Sequence, residues 1–355
     1  MTFESFEHDY RRYLHRKVGV ILVCLAVGVI AFIFELGVGS YNMSFTDSFA
    51  ALWDHITGNV GTTEEALTRD EVVWSIRLPR ALAGSAIGAG LGVCGCAMQS
   101  SMKNPLADPY TTGISSGASF GAALAIIMGW GIASNTGEIA VVVNAFVFAL
   151  IPAGLMIFFS VIKKDMSPSA VILIGIAVMY IFSACTTMMR YFADDVLLAD
   201  MYYWSVGTLE KATWGNVWFM VGGAVLGVLA IQWMARDLNI LAVTGKNSDT
   251  MGITAKRVRT CTLGIVSLVT ALMVCFTGTI GFVGLIAPHV TRMFLGSDNR
   301  YLVPASAAMG IMVMLGADCI AKSITTTGLP VGVITAAIGG PVFLLLLIKQ
   351  RRSDW

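Results

Sequence analysis

Arg77 and Arg80 lie three positions apart in "RLPR", closing an acidic stretch that carries Asp47, Asp54, Glu64, Glu65, Asp70 and Glu71. Guanidinium groups this close together bind carboxylates or phosphates through paired hydrogen bonds, which makes them an anion hook. The alternative is a pair of long side chains snorkelling to lipid headgroups. Pro79 has a fixed φ and suits a first helical turn, so the spacing predicts a helix that starts there with both arginines at its end. Asp318 is the clearest carboxylate inside an apolar run, with Glu35 near the end of another. A charge in such a place is costly, and is either kept for ion relay or held by packing and hydrogen bonds. Two carboxylates supply a proton or sodium relay poorly.

Enzyme chemistry is missing from the chain. No G-x-x-x-x-G-K-[ST] loop occurs, and the "TGK" at Thr244–Lys246 lacks both the upstream glycine and the following hydroxyl needed to cradle a phosphate. No HExxH, G-x-S-x-G or metal-spaced histidine pair is present, and His289 in "APHVTR" stands among apolar residues. The seven cysteines form no C-x-x-C pair and read as small buried thiols. Neither a catalytic residue, nor a metal site, nor a cofactor of its own is expected in this chain.

Lipid-facing helices must carry these residues. Of 355 residues, 56% are hydrophobic and only 13% charged, too little charge for a water-soluble surface of this size. The net charge of +1 argues against nucleic acid as a partner. Apolar runs occupy Val18–Val38, Ala81–Ser101, Thr111–Ile132, Ile139–Ile162, Pro168–Met189, Thr213–Ala235, Val258–Ile280, Phe282–Leu295, Leu302–Ala321 and Pro330–Ile348. Most reach the roughly 20 residues that cross a bilayer as helix, and Phe282–Leu295 is short enough to span half. The expectation is an all-α polytopic membrane protein, a single domain over 1–355 with about ten crossings. Residues 1–17 are polar and no small-residue cleavage site follows Val38, so the first run is expected to stay as a helix.

An even number of crossings puts both termini on one side. All of the 23 Lys and Arg except Arg69, Arg77, Arg80, Arg190, Lys211 and Lys322 then fall on that side, which makes it cytoplasmic. The acidic segment 39–76 and the aromatic segment Tyr191–Ala212 lie outside. The latter is either an interfacial belt or a short re-entrant helix at the mouth of a pathway. The largest inner loop, Arg236–Arg259, has room for one or two short surface helices. An odd number of helices per half, about five, would make any internal repeat inverted, an arrangement typical of transporters built around a midplane site. The echo between "RLPR…NPLADP" and "RVR…GFVGLIAPH" is weak support for it.

Gly84, Gly88, Gly90, Gly92 and Gly95, and then Gly113, Gly117 and Gly121, give small faces on which helices pack backbone to backbone. Between the two sets stands "KNPLADPYTTGISSGAS", Lys103 to Ser119. Such a polar, proline-bounded turn survives in a membrane only where protein or water satisfies its backbone. It is expected at the inner end of a helix pair, buried against neighbouring helices or a partner.

The stretch "RLPRALAGSAIGAGLGVCGCAMQSSMKNPLADPYTTGISSGAS" resembles the signature of the FecCD-type permeases, membrane subunits of ABC importers for iron–siderophores, haem and cobalamin. The likeness continues through "SPSAVILIGIA", "WSVGTL", "GTIGFVGLIAPHVTR" and "LPVGVITAAIGGPVFLLLL", over residues 70 to 350 in order. The resemblance implies a type II ABC importer permease fold of two inverted halves. It implies a homodimer, or a pair with a close paralogue, in the cytoplasmic (inner) membrane. Two cytoplasmic ATP-binding subunits would hold the ATP and Mg and do the hydrolysis, and an extracytoplasmic substrate-binding protein would dock above. By the same resemblance, Arg77 and Arg80 dock the binding protein, with Lys322 where relatives often carry Arg. Asp249, Met251 and Gly252 fall on the coupling loop that meets the ATPase. Ser167, Pro168 and Ser169 fall on an inner gate, Asn104 and Pro105 beside it, and Trp204 and Gly207 on the pathway. Gly328 stands where relatives often have an acid. The implied cargo is a bulky iron chelate, or a relative such as haem or cobalamin. The alternatives left standing are an ion-coupled secondary transporter and another metal chelate as cargo.

Overall fold

The computed structural model describes residues 3–39, 41, 43–133, 137–162, 168–244, 248, 250–324 and 328–349. It is helical, without strands among the described residues. In order the helices are α1 (Phe3–Gly37), α2 (Phe45–Thr57), α3 (Glu64–Glu71), α4 (Leu78–Met102), α5 (Ile114–Ile126), α6 (Glu138–Ile162) and α7 (Pro168–Tyr191). There follow α8 (Asp195–Val206), α9 (Trp214–Trp233), α10 (Ala235–Thr244), α11 (Ala255–Thr277), α12 (Val283–Leu295), α13 (Asn299–Ile324) and α14 (Val331–Lys349). Among the described residues, 7 helical stretches are long and apolar enough to cross a membrane, and α5, α12 and α14 are shorter apolar helices. Together these match every apolar run in the sequence.

Two boundaries differ from expectation. Pro79 stands in the first turn of α4 as expected, but the chain is already helical from Glu64, with a wide π turn over Val72–Arg77 leading directly into α4. The N–H of Leu78 reaches back to the carbonyl of Val73, and this widened turn lets a residue without an N–H enter the helix. The run Thr111–Ile132 forms only the 13 residues of α5, about 20 Å of helix and too short to cross. The equally short α12 was expected from its run.

The segment 39–76 folds over the end of the bundle as α2, α3 and the π turn. Ser44 and Asp47 cap α2 reciprocally, and Gly58 closes it with φ +72°. His55 stacks on Trp74 at 3.9 Å and bonds Asp70 at 2.7 Å, and the Trp214 indole donates to the Trp74 carbonyl at 2.9 Å. The cap is thereby fastened to α9.

α4 is the axis of the molecule, 83% buried over its most apolar window, against 17% for α1. Its glycines explain this. A Cβ on Gly88 would lie 2.4 Å from the Gly310 carbonyl of α13, and one on Gly95 only 1.7 Å from the Gly284 carbonyl of α12. Gly117 and Gly121 of α5 meet the Phe148 and Asn144 carbonyls of α6 in the same way, each at 2.4 Å. Without lipid-excluding force between helices, such close backbone contact supplies the packing.

The inverted repeat is legible in the packing. One half comprises α1, α4, α5, α6 and α7; the other α9, α11, α12, α13 and α14. The third member of each is the short one. α4 packs on α13 as α11 packs on α6, α5 on α7 as α12 on α14, and α5 on α11 as α12 on α4. Each pairing is the other with the halves exchanged.

Candidate translocation pathway

The short helices begin inside the bundle because irregular segments carry the chain there. α4 ends at Met102, and Lys103 turns the chain with φ +51°. The Asn104 side chain accepts the Leu106 N–H at 2.9 Å, and Ala107 donates to the Asn104 carbonyl. Asp108 then accepts the Tyr110 N–H and caps a single 3-10 turn, Pro109–Thr112, that runs into α5. A Cβ built on Gly284 would lie 3.2 Å from the Leu91 carbonyl and 2.7 Å from Asp108 Oδ1, so Asp108 is level with the middle of α4. It has returned about 16 Å from Met102. The turn expected at the end of a helix pair is there only at Asn104 and Pro105; the rest re-enters. Protein satisfies its backbone, as the membrane demands.

The second irregular segment, Gly278–Phe282, meets the first. The Ile280 N–H donates to the Tyr110 hydroxyl at 3.3 Å, and Phe282 takes φ +69° before α12 begins. α8 closes over this junction. Trp204 is buried, and its carbonyl would lie 2.0 Å from a Cβ on Gly278. Gly207 has φ +79°, accepts the Gly332 N–H at 3.0 Å, and leaves no room for a Cβ beside the Thr279 carbonyl. Thr208 donates to the Thr277 carbonyl, and the Thr279 hydroxyl to that of Ser205. Trp204 and Gly207 thus stand at the junction, while Tyr191, Phe192, Tyr202 and Tyr203 of the same segment stay exposed.

Two adjoining cavities open here. One, of about 320 Å³, is lined by Asp108, Tyr110, Ser115, Thr279, Gly281, Phe282 and Leu285. The other, of about 370 Å³, shares Ser115 and Thr279 and continues along Ser116 and Ser119 of α5 and Ser183, Thr186, Thr187 and Arg190 of α7. Hydroxyls dominate this wall. The sequence reading missed it, although Ser183, Thr186, Thr187 and Arg190 fall at helical spacing and so share a face.

The three residues expected to dock a binding protein have these surroundings. Arg77 is 3% exposed; its guanidinium donates to the Leu36 carbonyl at 2.9 Å, to Ser48 Oγ at 3.0 Å and to the Tyr41 carbonyl at 3.0 Å. It tethers the end of α1 and the cap to α4. Arg80 makes two bonds of 2.8 Å to Asp318. Lys322 pairs with Glu35 and lies 3.4 Å from Asp318, while Cys319 Sγ donates to Glu35 at 2.8 Å. In this structure none of the three basic groups is a free surface hook, because each is committed to partners within the chain. The helix interiors are also less empty than the sequence suggests: Glu35, Arg80, Asp318 and Lys322 are gathered from α1, α4 and α13 into one cluster.

At the opposite end, Met251 is 60% exposed and Gly252, with φ +77°, has open space where a Cβ would stand. Asp249 and Ser167 lie outside the described residues. Pro168 and Ser169 open α7. α10 realises one of the short helices expected in Arg236–Arg259, and Asn239 on it bonds Asp298 at 2.7 Å and Asn299 at 2.9 Å. Burial works to raise the Asp298 carboxyl, but its bonds from Arg300 and Asn239 prevail and hold it below the usual carboxylate range.

The FecCD transport family profile matches residues 25–349, nearly the whole bundle and both irregular segments. The chain belongs to this family. Within it, the chain is 37% identical over 281 residues to a cobalamin import permease of Halobacterium salinarum, covering 79% of this chain and 74% of that one. It is 32% identical over 344 residues to a haemin transport permease of Yersinia pestis, covering 95% and 96%. It is 29% identical over 326 residues to a molybdate import permease of Haemophilus influenzae, covering 92% and 94%. Among solved structures it resembles a metal-chelate type ABC transporter in an inward-facing conformation, with a TM-score of 0.81, 27% identity and 94% and 99% coverage. This FecCD chain is a multi-pass ABC importer permease with the fold the sequence implied.

Proposed function

We propose that this permease carries a bulky iron chelate, or a related metal chelate such as haem or cobalamin, driven by ATP hydrolysed on two separate subunits. Two copies, or one and a close paralogue, would frame the pathway in the cytoplasmic (inner) membrane with both termini inside. The observation that carries the reading is the junction of the two half-length helices, from which a hydroxyl-rich wall runs along α5 to the Tyr191 end of α7. Relatives named for cobalamin, haemin and molybdate support an import role and leave the cargo open among them. The ion-coupled alternative loses ground because Asp318 and Glu35 are both bonded within the chain.

The exposed loop at Met251 and Gly252, with Asp249, would be the surface that meets the ATPase, transmitting its closure to α10 and α11. The gate at Ser167–Ser169 and the pinned Trp204–Gly207 segment would then move against each other. A binding protein would dock at the opposite end, over the cap and α8. Of the three basic residues there, Arg80 keeps the most side-chain surface, 11%, and would have to share its guanidinium with Asp318. The test is Gly252→Trp in the reconstituted complex, with Gly252→Ala as a control for the left-handed backbone. Uncoupled ATP hydrolysis in the Trp variant alone supports the docking surface; normal coupled uptake by it refutes the assignment.

A further inference from the structure

We propose that the wall between α5 and α7 is a transient subsite for an oxygen-rich, anionic cargo, with Arg190 as its charged anchor. Calling the ligand cargo rests on the permease reading above. Arg190 lines the larger cavity, and its Nε is buried without a hydrogen-bond partner. No carboxylate stands among the residues that line that cavity. An unpaired buried donor on a cation is costly, and an arriving oxyanion is what relieves it.

The rest of the wall fits such a ligand. Ser119, Ser183 and Thr187 offer hydroxyls that donate or accept in turn, so they hold oxygen atoms weakly and release them. Next to this wall lies an apolar surface of Ala184, Met188, Tyr191 and Phe192, with Tyr180, Ser183 and Thr187 bordering both. Arg190 lines only the polar side of that border, which suits a charged, oxygen-rich group. Deeper in, the adjoining cavity carries Asp108, 4% exposed, with Oδ1 unpaired. Arg190 is the cationic end of the two cavities, and an anion is drawn to it at the Tyr191 end of α7. A lipid phosphate would offer Arg190 the same oxyanion chemistry, so a test must separate the two sources.

The charge of the wall is read with a thiol reporter on the full-length chain. Cys185 and Cys261, both exposed, are replaced by Ala, and Thr187→Cys places a thiol one turn from Arg190. Its modification rate is compared for two methanethiosulfonates of similar size, one ending in sulfonate and one in trimethylammonium. The expected anionic-to-cationic rate ratio falls about tenfold with Arg190→Gln at low ionic strength, and survives in Arg190→Lys. Should Arg190→Gln fail to fold, the same ratio in the Arg190 chain must still collapse at high salt. An unchanged ratio on either measure overturns the proposal.

Millimolar ferric citrate should then protect Thr187→Cys several-fold better than neutral cyanocobalamin, through screening and occupancy of the same anion site. Equal protection, or none, overturns the anionic class. A ratio high in maltoside micelles but lost in phospholipid discs assigns Arg190 to a headgroup and also overturns the subsite. Absence of any ATP-driven uptake in a reconstituted complex would instead refute the permease reading, leaving the reagent ratio as it stands.

Discussion

Replacing Asp318 with Asn removes the carboxylate from both bonds of Arg80 and from the neighbourhood of Lys322. Asp318 is wholly buried, and the Arg80 side chain is 11% exposed. Breaking one partner of a buried pair costs about 3–5 kcal/mol, mostly because the other charge is left uncompensated. Arg80 keeps some solvent and Lys322 keeps Glu35, which brings the expected loss to about 2–4 kcal/mol. Removing both partners should cost less than the sum of the single losses, with a coupling of about 1–3 kcal/mol. The assay is a double-mutant cycle of Asp318→Asn and Arg80→Gln, read as unfolding of the purified protein in mild detergent. ATP-driven uptake per folded molecule is measured alongside, and should be unchanged in Asp318→Asn. Wild-type stability of that variant, or strict additivity in the cycle, would refute a structural role for the Asp318–Arg80 pair. Lost uptake with stability intact would make Asp318 a relay.

Gly95→Ala forces a Cβ to within 1.7 Å of the Gly284 carbonyl; it should destabilise by about 3 kcal/mol or more and reduce folded yield in size-exclusion chromatography. Gly264→Ala in α11, where nothing lies within 4 Å, should leave stability unchanged or raise it by up to about 1 kcal/mol. Asp298 has a folded-state pKa below its unfolded value. Its contribution is therefore present above about pH 4 and lost as pH falls through the folded value. The difference in melting temperature between wild type and Asp298→Asn should accordingly be largest at neutral pH and vanish in acid. Arg77→Ala should loosen the cap, and limited proteolysis between α1 and α3 should accelerate while α4–α14 stay protected; an unchanged digestion pattern would show that the arginine is no tether.

The bundle was legible because lipid leaves few choices. Apolar runs of bilayer length must be helices, and the small faces of α4 and α5 announce close packing before any partner is known. The glycines at 88, 95, 117 and 121 each met a backbone carbonyl. What the sequence hid was depth and pairing. Nothing in "NPLADPYTTG" says that the chain returns to the level of Leu91 rather than lying at a helix end, since the same turn chemistry serves both. Arg77 and Arg80 looked alike in the sequence but differ in space. The π turn swings Arg77 onto the end of α1, while Arg80 faces an acid 238 positions away. Glu35 and Lys322 come together only because α1 packs on α13. Arg190 was visible as a helical neighbour of Ser183 and Thr187, and passed unread because it also sits where a lipid anchor would.

Uptake in proteoliposomes tests the central claim most directly. The permease is reconstituted with its ATP-binding subunits, ATP is enclosed on their side, and a labelled chelate is presented with its binding protein on the other. The account predicts uptake that requires ATP and the ATPase, stops with vanadate, and persists when ionophores collapse the ion gradients. Uptake by the permease alone, driven by a proton or sodium gradient without ATP, would contradict it.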